Sequence, residues 1–275
     1  MKTVAIFFPF DLFGSGGTGN GATLLADAFA EMLSDNKRER VPTRAQSYAG
    51  KVHSRQIELP NLTDYQSWRP RARRAIHRVL QHDASLLWVT GNHLGVLPLF
   101  DELALQAQDT VVVQFDAHLD IYNLSDSTTD LSHGNYLLHC AGPLPRLVNV
   151  GHRELLLHPE YVSRYFQATF PATALAVDPE PALQQVEKLC QSAGQVVLDI
   201  DCDVFDPAYF PASTHPLPFG LTPHLFLRFL NAAWSGGVRG IALSEFDPAR
   251  DRHDQALSTL IWLLEYVLLR WHEQA

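Results

Sequence analysis

The chain has 275 residues, 46% of them apolar and 19% charged, which is ample for one large buried core and excludes both a mini-protein and a disordered chain. With 21 basic against 30 acidic side chains the formal charge is −9, an acidic balance that argues against nucleic acid as a partner. Cys140, Cys190 and Cys202 stand too far apart for a disulfide framework or a metal finger, so a cytoplasmic protein is expected. The N-terminal apolar run is broken by Pro9 and Asp11, which makes a poor signal peptide. The longest apolar stretch, residues 257–269, carries Ser258, Thr259 and Glu265 and is shorter than the roughly 20 residues that span a bilayer, so it reads as a core helix with no membrane role.

In chain order, short β-rich runs at 3–8, 86–90, 111–115, 147–150, 174–177, 196–200 and 240–243 predict strands. Between most of them lie segments of helical periodicity at 22–33, 71–81, 96–106, 182–191, 223–233 and 255–271. Runs such as Val111-Val112-Val113 are apolar on both faces, so the alternation predicts an α/β protein with a mostly parallel sheet covered on both sides. Residues 36–70 are the least regular part and read as a long surface excursion within a single domain spanning 1–275.

Ligands of an open parallel sheet bind beyond the carboxyl ends of its strands, which directs attention to the residues just after each apolar run. Gly91-Asn92-His93 stands after one, Asp116-Ala117-His118-Leu119-Asp120 after another, Asp201-Cys202-Asp203 after a third and Ser244-Glu245 after a fourth. Residues at i, i+2 and i+4 share one side of an extended chain, so Asp116, His118 and Asp120 converge if the strand continues past its end, and Asp201 and Asp203 do the same. So many carboxylates cannot be left unpaired at low electrostatic cost, and no matching cluster of Lys or Arg adjoins them. Bound divalent cations are the remedy, and an oxygen-rich set of four Asp and two His suits two manganese ions better than a structural zinc. Taken singly each piece has a plainer reading: Asp-Ala-His as a strand end, and Asp203-Val204-Phe205-Asp206-Pro207 as turn chemistry around a proline.

Asp116-Ala117-His118-Leu119-Asp120, the run from Asp201 to Pro207, Gly91-Asn92-His93 and Ser132-His133-Gly134 resemble, in order and spacing, the signature segments of the arginase (ureohydrolase) family, from about residue 85 to the C-terminus. The resemblance implies a three-layer α/β/α fold with a sheet of about eight strands, a closed homo-oligomer with no interface identified, and two manganese ions. One ion would be held by His93, Asp116, Asp120 and Asp201, the other by Asp116, His118, Asp201 and Asp203. It implies hydrolysis of a guanidine group to urea and an amine, with Asp120 in the catalytic set. His133 would shuttle a proton to the leaving amine and Glu245 would clamp the guanidinium. Without the resemblance, His133 is a loop histidine and Glu245 a cap for the next helix.

The departures from the family pattern bear on the substrate. Asn92 stands where Asp is usual, which predicts that the partner orienting His93 is weaker or a different residue, and metal affinity lower. Tyr122, Leu131 and Leu156 stand where a free amino acid would need polar partners for its head group. This pattern resembles the peptide arginases, which convert arginine residues to ornithine, and makes an arginine-containing peptide the expected partner, with agmatine or another small guanidine as the competitor.

Three other classes stay in view. Gly14-Ser15-Gly16-Gly17-Thr18-Gly19 satisfies the dinucleotide glycine pattern, but five residues separate it from the strand, and the plainer reading is a mobile loop near the mouth of the site. A one-zinc amide deacetylase would leave Asp120 and Asp203 without a purpose. A non-catalytic peptide-binding protein could dock an acidic partner on Arg69, Arg71, Arg73, Arg74 and Arg78, although arginines at helical spacing usually form a solvated face.

Overall fold

Runs that are apolar on both faces cannot lie at a surface, and in this chain they become the middle of a sheet. The computed structural model describes residues 1–273. It begins with β1 (Lys2–Phe8), α1 (Thr18–Arg38), β2 (Val52–Gln56), α2 (Leu62–Gln66), α3 (Trp68–Leu80), β3 (Ala84–Thr90), α4 (Leu97–Leu103) and β4 (Thr110–Phe115). After a long loop come β5 (Arg146–Val150), α5 (Pro159–Val162), β6 (Phe166–Phe170), α6 (Ala172–Leu175), α7 (Glu180–Gln191), β7 (Gln195–Asp201), α8 (Pro223–Trp234), β8 (Val238–Ser244) and α9 (Gln255–Glu273). The eight strands form one sheet in the order β2-β1-β3-β8-β7-β4-β5-β6, and every pairing is parallel. Among the described residues no helix is long and apolar enough to cross a membrane.

Alternation along the strands divides the core in two. Ala5 and Phe7 of β1, and Val196, Leu198 and Ile200 of β7, face one side with Leu25, Phe29, Val186, Phe229 and Leu264 of the flanking helices. Ile6 and Phe8 face the other side, with Ala72 and Ile76 of α3 and Leu99 and Phe100 of α4. This is the three-layer α/β/α arrangement expected from the sequence, with eight strands.

Two expectations need correction. Residues 174–177 do not form a strand: Ala172–Leu175 is a helical turn entered from Pro171, and the strand lies earlier, at Phe166–Phe170. A four-residue apolar run carries no periodicity that separates strand from helix, while β6 sits at a sheet edge where Gln167 and Thr169 dilute the apolar signal. Residues 36–70 likewise contain more than a surface excursion, because β2 forms the opposite edge and is polar and mostly exposed.

The arginines of α3 are also mostly committed within the fold. Arg69 donates two hydrogen bonds of 2.7 Å to the buried Asp101 of α4 and one of 2.8 Å to the carbonyl of His139. Arg73 and His77 share the two carboxylate oxygens of Glu102, and Arg71 pairs with Asp64. Three of the five arginines therefore tie helices together instead of forming a free basic face. Replacing Asp101 with alanine strands Arg69 and the Ala141 amide, and is expected to lower the unfolding free energy in urea by about 2 to 3 kcal/mol, the lower side for a broken buried pair because Arg69 is partly exposed. A loss under about 0.5 kcal/mol would mean that the pair does not hold α3 to α4.

Candidate metal centre and catalytic cavity

The four central strands β3, β8, β7 and β4 are consecutive in the sheet, and their carboxyl ends carry His93, Glu245, Asp201 with Asp203, and Asp116 with His118 and Asp120. Segments far apart in the chain thus open onto one place. A cavity of about 240 Å³ lies there, and His93, His118, Asp120, Asp201, Asp203 and Glu245 are among its walls.

Convergence does not come from strands running on past their ends. β4 stops at Phe115, and Asp120 reaches the cavity through a left-handed backbone with φ 49°. Asp201 ends β7 and accepts the Asp203 amide at 2.9 Å, turning the chain into a short 3₁₀ helix that presents Asp203. Asp203 in turn accepts the Ala117 amide at 3.1 Å, and Asp116 accepts the His118 amide at 2.7 Å. These backbone donors orient one oxygen of Asp116, Asp201 and Asp203 and leave the other free for a ligand.

Nδ1 of His93 lies 3.2 Å from Asp116, 2.9 Å from Asp120 and 3.2 Å from Asp201. None of these approaches is aligned as a hydrogen bond, and both His93 Nδ1 and Asp116 Oδ2 are buried without a hydrogen-bond partner. Donor atoms that crowd together unpaired are what a bound cation resolves. The donors of His93, Asp116 and Asp120 lie within 4.8 Å of one another, as do those of Asp116, His118 and Asp203. The residues therefore fit two adjoining hard cations, with Asp116 common to both groups.

The electrostatics point the same way. Burial, then the neighbouring Asp120, pushes Asp116 up to about 7. Burial, then Asp203 and Asp116, holds Asp201 well above the usual carboxylate range. Burial opposes charge on His118, but Asp203 and Asp116 outweigh it and raise the imidazole to about 10. A positive charge is wanted, and in its absence protons take the place.

Behind the cavity lies a polar network that could not be read from the sequence. His93 Nε2 is 3.0 Å from Asp199 and 3.2 Å from the hydroxyl of Tyr136, which donates to Asp199 at 3.3 Å. Gln114 donates to Tyr136 at 3.2 Å, and Asn149 donates to Gln114 at 3.3 Å. All five residues are buried. With the proton assigned to Nε2, Asp199 turns the Nδ1 lone pair toward the carboxylates, the arrangement that raises ligand basicity. The only signal in the sequence is that Gln114, Asn149 and Asp199 interrupt otherwise apolar strands. Asn92 does not orient His93 at all: its amide donates to the Leu12 carbonyl at 3.0 Å and anchors the loop after β1.

Glu245 has a left-handed backbone, φ 63°, and accepts the His93 amide at 2.9 Å with Oε1. Its Oε2 is buried without a partner. It does not cap α9, whose first amides bond Asp251. His133 Nδ1 stands 3.3 Å from Glu245; burial opposes its charge, but Glu245 raises it above the ordinary value. Tyr122 lines the cavity, whereas Leu131 packs into the core and Leu156 is exposed; neither leucine lines the cavity. His215, in a proline-rich loop without metal-ligand spacing, is a cavity residue that the sequence did not reveal.

The glycine-rich loop is pinned. Asp11 accepts the amides of Gly17 and Gly19 at 2.9 and 3.1 Å, taking the place at the start of α1 that a pyrophosphate would need. Gly14 packs so tightly on His133 that a Cβ there would fall 2.7 Å from the ring.

This geometry sets two expectations for metal binding. Asp199→Asn should weaken manganese affinity by roughly 10- to 100-fold in titration calorimetry, with the fold retained by circular dichroism; equal affinity would remove Asp199 from the ligand-orienting role. Because Asp116 is pushed up to about 7 and His118 to about 10, a cation must displace more protons from the site at pH 6 than at pH 8, so affinity should rise at least about tenfold between them. A flat profile would contradict this.

The chain matches the model of the arginase family over residues 2–269, so the likeness extends well before residue 85. It is 26% identical to an agmatinase of Proteus mirabilis over 196 residues, 70% of this chain and 62% of that protein. It is 32% identical to a mitochondrial arginase of Medicago truncatula over 154 residues, 52% of this chain and 42% of that protein. Both matches span less than two thirds of the relative's length. Among solved structures, an arginase of Bacillus subtilis superposes with a TM-score of 0.78 at 20% identity, covering 97% of this chain and 98% of that one. A hypothetical agmatinase of Burkholderia thailandensis gives 0.79 at 20% identity, covering 99% and 86%. On the family match along nearly its whole length, this chain belongs to the arginase family.

Proposed function

We propose that the protein hydrolyses the guanidine group of an arginine residue within a peptide, releasing urea and leaving ornithine. The observation that carries this reading is the polarity of the cavity. At its base Glu245 Oε2 offers a buried, unpartnered acceptor to a planar N–H donor, while no Lys or Arg lines the cavity to receive a substrate carboxylate. The nearby Arg153 is turned away, donating to the carbonyls of Gly151, Asp203, Val204 and Leu217. A free amino acid would therefore lie with its carboxylate poorly paired.

His93, Asp116, Asp120 and Asp201 would hold one manganese ion, and Asp116, His118, Asp201 and Asp203 the other. When bound, the ions supply Lewis acidity and with it a deprotonated water at neutral pH. The chain's own residues do the rest. Glu245 aligns the guanidinium, so that its carbon faces the carboxylate cluster. Water adds its oxygen to the guanidinium carbon and yields a proton to the site; His133, protonated beside Glu245, delivers a proton to the leaving amine nitrogen, and the carbon–nitrogen bond breaks to give urea and an amine. Tyr122 closes one wall, and burial with Glu154 nearby keeps its phenol protonated.

Agmatine is the second reading, and it draws on relatives named agmatinase; it too has no carboxylate to place. Urea release from manganese-loaded protein should be at least tenfold more efficient with an arginine-containing peptide than with free L-arginine, the factor expected when a buried charge goes unpaired. Glu245→Gln should lower kcat/KM on the peptide about 100-fold or more. Higher efficiency on free L-arginine would refute the peptide reading, and higher efficiency on agmatine would favour the second.

A further inference from the structure

Beside the catalytic cavity lies a second hollow of about 420 Å³, within the roughly 300 to 1,000 Å³ usual for ligand sites. It shares the walls Tyr122, His133 and Gly134 with the catalytic cavity, is open to solvent, and is lined also by Phe13, Thr128 and Ser132. We propose that this hollow is a subsite that receives an uncharged stretch of peptide next to the reacting arginine, with Phe13 as its apolar floor. The proposal rests on the peptide reading above and names which peptides it takes.

Continuity identifies the occupant. An arginine seated with its guanidinium at Glu245 leaves past Tyr122 and His133, the walls common to both spaces. Beyond them no Asp, Glu, Lys or Arg lines the hollow, so it offers a flanking charge no partner in exchange for its hydration. It offers instead hydroxyls for backbone groups and an aromatic face for an apolar side chain.

Phe13 is the informative residue. It is 59% exposed, and its backbone is left-handed with φ 58°, a strained conformation for a bulky residue. Phe219, four residues after the cavity residue His215, repeats the combination with φ 60° and 74% exposure. Strain and exposed aromatic surface together are explained where a ligand covers the ring. The backbone that carries the ring is held in place beforehand: the Phe13 carbonyl accepts the His133 amide at 3.2 Å, and Asn92 holds the Leu12 carbonyl at 3.0 Å. The facing loop is preformed as well, since Asn135 donates to the carbonyls of Thr128 at 3.1 Å and Asp130 at 2.8 Å.

The test compares urea release from N-acetyl-arginine amide, Ala-Leu-Arg-Leu-Ala and Ala-Asp-Arg-Asp-Ala, alongside fluorescence anisotropy of a labelled Ala-Leu-Arg-Leu-Ala titrated with protein. Two variants act on the hollow from different walls: Phe13→Asn removes the ring while tolerating the left-handed backbone, and Thr128→Tyr fills the space. The leucine peptide should exceed the aspartate peptide in kcat/KM about tenfold, and each variant should lower the ratio of leucine peptide to blocked arginine about tenfold, through KM and with matching loss of binding in anisotropy. An unchanged ratio in both variants, with urea still released from peptides, overturns the subsite and leaves the peptide reading standing. No urea from blocked arginine or either peptide, whether or not agmatine is cleaved, overturns the peptide reading and the subsite with it.

Discussion

His93 stands within 3.2 Å of four carboxylates, Asp116, Asp120 and Asp201 at one ring nitrogen and Asp199 at the other, in a place closed to solvent. Such a concentration of negative charge is unstable by itself, and much of the surrounding structure serves to hold it. The backbone amides of Ala117, His118 and Asp203 each donate to one of these or the adjoining carboxylates. The Asp199, Tyr136, Gln114 and Asn149 network bonds the far ring nitrogen of His93. His93 Nδ1 and Asp116 Oδ2 are both left unpaired and lie 3.2 Å apart, which is why the cluster reads as a cation site and not as a packing accident.

Local strain accompanies this arrangement. Asp120 and Glu245 both have left-handed backbones, unusual for side chains of their kind, and both line the cavity. Neither could present its carboxylate there from a regular strand or helix, so the neighbouring sheet must over-determine the turns that hold them. The Glu245 amide bonds the Gly91 carbonyl at 2.7 Å while its carboxylate bonds the His93 amide, locking the ends of β8 and β3 to each other. The proposed guanidinium acceptor and a candidate metal ligand are thereby placed by one element pair, so substrate position and metal site would be coupled.

Specificity is arranged differently from chemistry. The cavity floor is charged, whereas the adjoining hollow is lined by no Asp, Glu, Lys or Arg among the described residues and exposes Phe13 beside Ser127, Thr128 and Ser132. Loops on a rigid sheet can vary without disturbing the cluster beneath them, and that separation lets members of one fold family act on different guanidines.

The alternation of apolar runs and amphipathic segments was enough to predict a parallel α/β sheet, because strands buried on both faces and helices buried on one leave different periodicities. It failed at β2 and β6, the two edges, where half-exposed strands have no such signature. The candidate ligands were legible as well, since acidic residues placed immediately after buried apolar runs rarely serve packing alone, but the way they converge was not: Asp120 arrives through a left-handed turn, not a continued strand. Asp199, Tyr136 and His215 were invisible because each gains its importance from neighbours remote in the chain. The sequence by itself determined the chemistry available at the strand ends and the layers that would bury the strands. Only the tertiary structure decided that β3, β8, β7 and β4 lie side by side, because strand order depends on the packing of the connecting helices and loops across the sheet, and no single segment encodes it.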